Sequence, residues 1–482
     1  MSERHGLYIN GQWREGSTGE QIGVINPATE EIIEQVPYGG RDDARAALEA
    51  AQSAFGSWRE LTAYERGEIL QRTAQLIRER AEEIARWVTQ EVGKPLGESL
   101  GEVNAAAAYY KWFAEEGKRA YGRIVPPSKP GVRRWVMKQP VGVCAAISPW
   151  NFPVLLPARK IAAALAAGCT IVSRPSSRTP LGAMEMIGCL HDAGCPPGVV
   201  NQILGPAAEC ADEFMNNPIC RKVSFTGSTA VGRQLIAQSA EHIKKLSLEL
   251  GGSAPVLIFP DVDVERVAAA TVRGKFRNMG QVCIAATRFY VHESIFDEYV
   301  DAAARYTSSL KLGNGLDDGV DCGPLADQQS LEKVEQFVAD AVAKGAEIVV
   351  GGKRAPGFQR GFFFEPTVLT NVTGAMRLTC EEVFGPIMPI MSFGTTAEAI
   401  GLANDTEYGL ASYVFTEDLS TALQVVEQLE FGIVGLNDMV PATAEAPFGG
   451  IKESGYGREG GQEGLEPYLE TKYISVGLNS LH

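Results

Sequence analysis

The sequence predicts an α/β protein of two sheet-containing domains, and three observations carry that expectation. The chain has 482 residues, 45% of them hydrophobic, enough for a large core and too many for one ordinary domain. From Val143 onward, short β-branched runs alternate with helical stretches, the pattern of parallel strands covered by helices. The alternation restarts near Ala254, which adds a second unit of the same kind. No internal repeat of roughly 20 to 50 residues and no Pro- or Ser-rich linker separates the two, so they are intertwined or joined by short connections.

The N-terminal stretch alternates β-like runs, LYING and GVINP, with turn residues. Apolar periodicity then predicts helices over residues 42–58 and 64–92. Residues 135–143 are extended, followed by VGVCAAIS, a helical 155–167, CTIVS, a helical 181–193 and VVNQI. The second unit opens with PVLIF, a helical 264–278 and RFYVHES, and continues to about residue 434. Residues 468–476 read as an extended tail strand.

Composition excludes several classes. Asp and Glu number 59 against 44 Lys and Arg, and a net charge of −15 disfavours nucleic acid and anionic membranes as partners. The N-terminus lacks an apolar targeting core, and the most apolar stretch, 154–172, is interrupted by Arg159 and Lys160, so a soluble cytoplasmic protein is expected. Nine cysteines without a CxxC pair argue against a disulfide framework and a zinc ribbon, and five histidines leave little material for a metal site.

Four segments carry possible chemistry. KVSFTGSTAVG, from Lys222, is a strand running into a Gly-Ser-Thr turn and a helix, where backbone N–H groups can hold a pyrophosphate; an ordinary strand-to-helix connection reads the same way. Cys144, Cys169 and Cys189 sit in apolar runs as small hydrophobes, whereas Cys283 follows Gly280-Gln281 on a turn whose amides are free for an oxyanion. Glu249, in LSLELGGSAP, is a general base if buried, although alternation alone favours an outward-facing strand residue. Asn151, in SPWNFP, is either a turn residue or a fixed amide donor. A cysteine–histidine hydrolase is the rival chemistry, with His191, His242 or His292 as its base, and none of the three carries a local signature.

Together SPWNFP, FTGSTAVG, LELGGSAP, GQVCIAATR, EEVFGP and APFGGIKESGYGRE, in that order, resemble the aldehyde dehydrogenase superfamily, from INGQW to KYISV. The resemblance implies an aldehyde dehydrogenase-like α/β fold. A Rossmann-like NAD(P)-binding domain would span 1–122 and 141–252, an α/β catalytic domain 253–452, and a small β oligomerisation arm 123–140 and 453–482. Homodimers or homotetramers are the implied assemblies. By motif, Cys283 matches the nucleophile, Glu249 the general base and Asn151 the oxyanion donor beside the backbone N–H of Cys283. Glu382 and Phe384 match the residues at the nicotinamide ribose and ring, and Ser148, Trp150, Lys160, Phe225, Gly227 and Ser228 further cofactor contacts.

The resemblance also bears on cofactor and substrate. Where the family commonly has KPAE or KPAS, this chain reads Arg174-Pro175-Ser176-Ser177; Ser177 leaves room for a 2′-phosphate, and Arg174 with Arg178 adds two guanidinium groups. NADP is therefore expected to serve at least as well as NAD. LPARK, KFRNMGQVC and APFGGIKESGYGREGG look most like succinate-semialdehyde dehydrogenases, in which arginines matching Arg159 and Arg277 bind the distal carboxylate. Where that subfamily often has a serine before PFGG, Thr443 stands as a substitute, so glutarate semialdehyde, 2-oxoglutarate semialdehyde and sulfolactaldehyde stay open as substrates. Ala285 replaces the second cysteine of relatives with a disulfide switch, and none is expected here. Uncharged aldehydes, a CoA-acylating reaction and a catalytically inactive homologue are the alternatives; Glu249 speaks against the second, because thiolysis needs no water-activating base.

Overall fold

Val143–Ile147, Thr170–Arg174 and Val200–Gln202 are small or β-branched runs buried on both faces, as central parallel strands must be. In the computed structural model, which describes residues 4–478, they lie side by side in parallel. Cys220–Thr226 pairs with the other side of Val143–Ile147, and Lys245–Glu249 follows it, also in parallel. The N-terminal hairpin Leu7–Ile9 and Gln12–Arg14 adds antiparallel strands at one edge, and Gly455–Tyr456 closes the other. The chain thus runs outward from Val143–Ile147 in one direction and returns to build the other half. The strand order reverses between Val143–Ile147 and Cys220–Thr226, and the crevice outside the C-terminal ends of strands at such a reversal is where these sheets hold nucleotides.

The second sheet orders Glu347–Val350, Thr367–Thr370, Ile387–Phe393, Ala286–His292, Ala254–Ile258, Ala411–Phe415 and Ile433–Leu436, all parallel except the first. A separate antiparallel ribbon joins Arg123–Val125, Val132–Pro140 and Leu469–Gly477. Ile124, Trp135, Met137 and Tyr473 on this ribbon are exposed. The segment before it, which includes Gly455–Tyr456, belongs instead to the first sheet. Residues 1–3 and 479–482, the ends of the outermost expected ranges, lie outside the described residues. Among the described residues no helix is long and apolar enough to cross a membrane.

The helices that the periodicity places are found near those positions, with Arg41–Glu60, Leu155–Ala167 and Leu181–Asp192 close to expectation. The expected helix over 64–92 is two, Ala63–Glu79 and Ala81–Val92, divided at Arg80, whose backbone (φ −104°, ψ 12°) leaves the helical region. Sequence reading misses Leu96–Glu116, a 21-residue helix packed against Ala63–Glu79, Ala81–Val92 and Leu155–Ala167. Because it is covered from several sides, its apolar residues form no single stripe.

Two buried glutamates from this helical layer satisfy helix N-termini. Glu91 accepts the N–H groups of Leu181 (2.7 Å) and Gly182 (2.9 Å), and Glu102 those of Val154 (2.8 Å) and Leu155 (3.0 Å). The second of these fixes the helix that carries Arg159 and Lys160.

Candidate active site

Asp263 caps Val264–Phe276 by accepting the N–H of Arg266 at 3.0 Å, and the helix ends at Phe276, two residues short of expectation. Asn278 (φ 46°), Met279 (φ 56°) and Gly280 (φ 71°) then occupy the left-handed region in succession. Asparagine and glycine accept that conformation; buried Met279 does so only because its surroundings hold it. Glu98 accepts the Asn278 N–H at 2.9 Å, and Asn278 Nδ2 donates to the carbonyls of Asn151 and Gln281, each at 3.3 Å. Gln281 answers with Nε2 to the Asn278 carbonyl at 3.0 Å, while its Oε1 accepts the Ala326 N–H at 2.9 Å. This braced turn delivers Cys283, half-buried, to the wall of a cavity of about 870 Å³.

Asn151 lies against the turn that carries the thiol. Its Nδ2 donates one N–H to the Gln281 carbonyl at 3.0 Å and has a second uncommitted, and its carbonyl is held by Lys94 Nζ at 3.1 Å. Lys94 is in turn ion-paired to Glu102, so the Asn151 backbone is fixed by a buried charge pair that the sequence reading did not single out, while its side-chain Oδ1 is buried without a partner. The backbone N–H of Cys283 also donates to no described residue. Burial pushes the Cys283 thiol up to about 12, opposed by the charge of Arg159 and reinforced by Glu382, Glu249 and Glu459.

Glu249 ends its strand fully buried rather than facing outward, because neighbours cover both faces at that point. Neither carboxyl oxygen has a hydrogen-bond partner, and a Cβ at Gly449 would stand 2.7 Å from Oε1. Burial, then the neighbouring Glu459, hold its pKa well above the ordinary carboxylate range. Beyond Glu249 lies the linker Gly251-Gly252: a Cβ on Gly251 would meet Glu382 Oε2 at 2.8 Å, and one on Gly252 the carbonyl of Cys283 at 2.8 Å. The two glycines let Glu249, the thiol segment and Glu382 converge. Glu459, which the sequence reading also missed, ion-pairs with Lys160, whose Nζ donates to Thr226 Oγ1 at 2.7 Å.

Arg159, Arg277 and Thr443 line the same cavity as Cys283, and no histidine does among the described residues. The Arg159 guanidinium lies 4.2 Å over Phe448 and 5.0 Å over Tyr109, with Glu459 at 3.8 Å on one side and its Nε unpartnered. Arg277 lies 5.2 Å over Phe152 and makes no ion pair with any described residue. Thr443 is exposed, its carbonyl accepting the Tyr109 hydroxyl at 3.0 Å. His191 instead meets the Tyr8 hydroxyl at 3.0 Å and His292 the Ser294 hydroxyl at 2.8 Å.

The crevice residues form a second group. Trp150 meets Phe384 edge-on at 5.6 Å, and Glu382 Oε1 accepts the Gly252 N–H at 3.3 Å. The Phe225 ring folds over Gly227, where a Cβ would stand 2.4 Å from it, and Ser228 caps the helix Thr229–Ser239. Ser148 Oγ and Arg174 Nε are buried without partners. Arg174 Nη2 donates to the Gly205 carbonyl at 2.8 Å and to Ser177 Oγ at 3.2 Å. Arg178, expected to add a second guanidinium here, is ion-paired to Asp327.

Comparison with known proteins agrees with this geometry. Residues 13–474 match the model of the aldehyde dehydrogenase family. The chain is 47% identical to the NADP(+) succinate-semialdehyde dehydrogenase of Escherichia coli, covering 98% of both chains. It is 46% identical to the 3-sulfolactaldehyde dehydrogenase of Pseudomonas putida over 98% of this chain and 96% of the other. Among solved structures, an E. coli NADP-dependent enzyme superposes with a TM-score of 0.97 at 47% identity, covering 98% of each chain. Betaine aldehyde dehydrogenase of Staphylococcus aureus in complex with NAD+ gives 0.97 at 39% identity, over 99% of this chain and 96% of that one.

Proposed function

Because the chain belongs to the aldehyde dehydrogenase family, we propose that it oxidises a short aldehyde with an anionic tail, such as succinate semialdehyde, to the acid with NADP or NAD. One observation carries this reading: Cys283, whose own N–H is uncommitted and whose turn is bonded by Asn151 Nδ2, lines a cavity whose wall presents Arg159 and Arg277, neither fully satisfied by protein carboxylates. The relatives that act on succinate semialdehyde and 3-sulfolactaldehyde support an acidic substrate.

The thiol of Cys283 gives up its proton to water, and Sγ adds to the aldehyde carbon as the carbonyl π pair moves onto its oxygen. The oxygen that becomes negative takes the Nδ2–H of Asn151 and the N–H of Cys283, a type of contact worth about 2.7 to 4 kcal/mol when one donor is removed. The nicotinamide, when bound, supplies the electron acceptor. The resulting thioester is opened by water, and Glu249 takes the water's proton. Arg159 and Arg277 hold the tail so that the carbonyl meets Sγ.

The crevice suits a dinucleotide. Thr229–Ser239 starts directly after Cys220–Thr226, so its first backbone N–H groups lie at that end of the sheet, and the aromatic pair Trp150–Phe384 and the Glu382 carboxylate are the groups that would hold the nicotinamide and its ribose. The small Ser177 in front of the Arg174 guanidinium favours a 2′-phosphate. Ser177→Glu is therefore expected to raise KM for NADP by at least about tenfold relative to NAD, through like-charge repulsion. Initial rates with each cofactor check it, and an unchanged preference would remove Ser177 from the selection.

We assign residues 1–122 and 141–252 to cofactor binding and 253–452 to catalysis; of the expected arm, 123–140 and Leu469–Gly477 form the ribbon, while Gly455–Tyr456 joins the cofactor sheet. The exposed apolar residues of the ribbon suit a homodimer or homotetramer in the cytoplasm. The test of the substrate reading is Arg277→Met, which is expected to lower kcat/KM for succinate semialdehyde by about 10- to 150-fold more than for butanal. Equal losses on both aldehydes would show that Arg277 only braces the wall.

A further inference from the structure

Arg273 lies in the last turn of Val264–Phe276, four residues before Arg277, and lines the same cavity. Its side chain is exposed and makes no hydrogen bond or ion pair with any described residue. Arg266, earlier on the helix, is by contrast paired with Glu417. Between the two cavity arginines, Gly274 has no side chain, and a Cβ there would meet Met439 Cε at 2.7 Å, so Met439 lies against the bare helix. Gly101, Ala105 and Ala108, on Leu96–Glu116, also line the cavity and keep it wide.

The size is informative. A four-carbon semialdehyde of about seven heavy atoms, even at about 30 Å³ per atom-sized group, fills roughly a quarter of the 870 Å³ cavity. Four residues of helix advance about 6 Å, and an extended chain advances about 1.2 Å per bond, so Arg273 stands outside the reach of a short tail held at Arg277. Its unrestrained side chain can swing inward to meet a longer one. Of the two acidic residues on the wall, Glu98 is committed to the Asn278 N–H, and Arg273 pairs with neither it nor Glu445.

We propose that Arg273 is a specificity-determining residue, an outer anion receptor that selects acidic aldehydes longer than four carbons. The inference rests on the acidic-substrate reading above, and Arg277 remains the inner receptor. The experiment compares kcat/KM for adipate semialdehyde and succinate semialdehyde in the full-length enzyme, its Arg273→Ala variant and its Arg273→Lys variant, with hexanal and butanal alongside. The adipate-to-succinate ratio is expected to fall about tenfold or more in Arg273→Ala, carried by KM, and to recover in large part in Arg273→Lys. A ratio unchanged by Arg273→Ala overturns the inference alone. Equal use of hexanal and adipate semialdehyde by the unaltered enzyme likewise overturns the inference alone, whereas equal use of butanal and succinate semialdehyde overturns the acidic-substrate reading and the inference with it.

Discussion

Cys283→Ala is expected to lower kcat for aldehyde oxidation by at least about 10⁴-fold, the order of loss seen when a catalytic nucleophile is removed. No other group on the cavity wall replaces it: the remaining residues there are apolar, cationic, acidic or the hydroxyls of Tyr109 and Thr443. The other eight cysteines cannot substitute, since seven are buried elsewhere and exposed Cys380 is not on the cavity. A second consequence concerns pH. With the thiol pushed up to about 12, the resting enzyme carries it protonated at neutral pH, and the thiolate fraction grows as pH rises. The rate of acylation by substrate is therefore expected to increase with pH through the neutral and mildly alkaline range. Stopped-flow recording of the first turnover checks both points, and near-normal turnover by Cys283→Ala would refute the assignment.

Glu249→Gln is expected to act on the other half of the reaction. Removing a general base costs about 10² to 10⁴ in rate, but the cost falls on hydrolysis of the thioester. The variant should produce one equivalent of reduced cofactor at close to the normal rate and then stall, with acyl-enzyme visible by intact-protein mass. Glu249 has no hydrogen bond to lose, so the substitution leaves its surroundings in place. Because burial and Glu459 raise its pKa, the base form is populated only as pH rises, so hydrolysis-limited turnover is expected to climb with pH in the unaltered enzyme. That climb should vanish in Glu249→Gln. Loss of the initial burst itself would place Glu249 in acylation instead.

The legible part of this protein was whatever repeats with a period or sits in a short motif. Parallel strands buried on both faces, such as Val143–Ile147, announce themselves as continuous apolar runs, and the helix Leu155–Ala167 lies where the periodicity puts it. Leu96–Glu116 escaped because a helix packed on several sides has no apolar stripe to detect. The supports of the site escaped for a different reason. Lys94, Glu102, Glu98 and Glu459 gain meaning only from the partners that folding gives them: Glu102 holds Lys94 and a helix N-terminus, Glu98 holds a left-handed turn, and Glu459 pairs with Lys160. Alternation misjudged Glu249, since its strand is covered on both faces where it meets Gly449. It was resemblance, rather than periodicity, that pointed to Arg159 and Arg277, and their shared cavity gives that pairing a physical basis.

If Arg159 and Arg277 choose the substrate by its anionic tail, tail charge sets the rate. The measurement that tests it most directly is the ratio of kcat/KM for succinate semialdehyde over butanal, with NADP and NAD run in parallel. Charge-assisted contacts of about 1.5 to 3 kcal/mol made in the transition state predict a ratio of about 10 to 150, whereas a ratio near one would contradict the account by leaving Arg159 and Arg277 without a part in substrate choice.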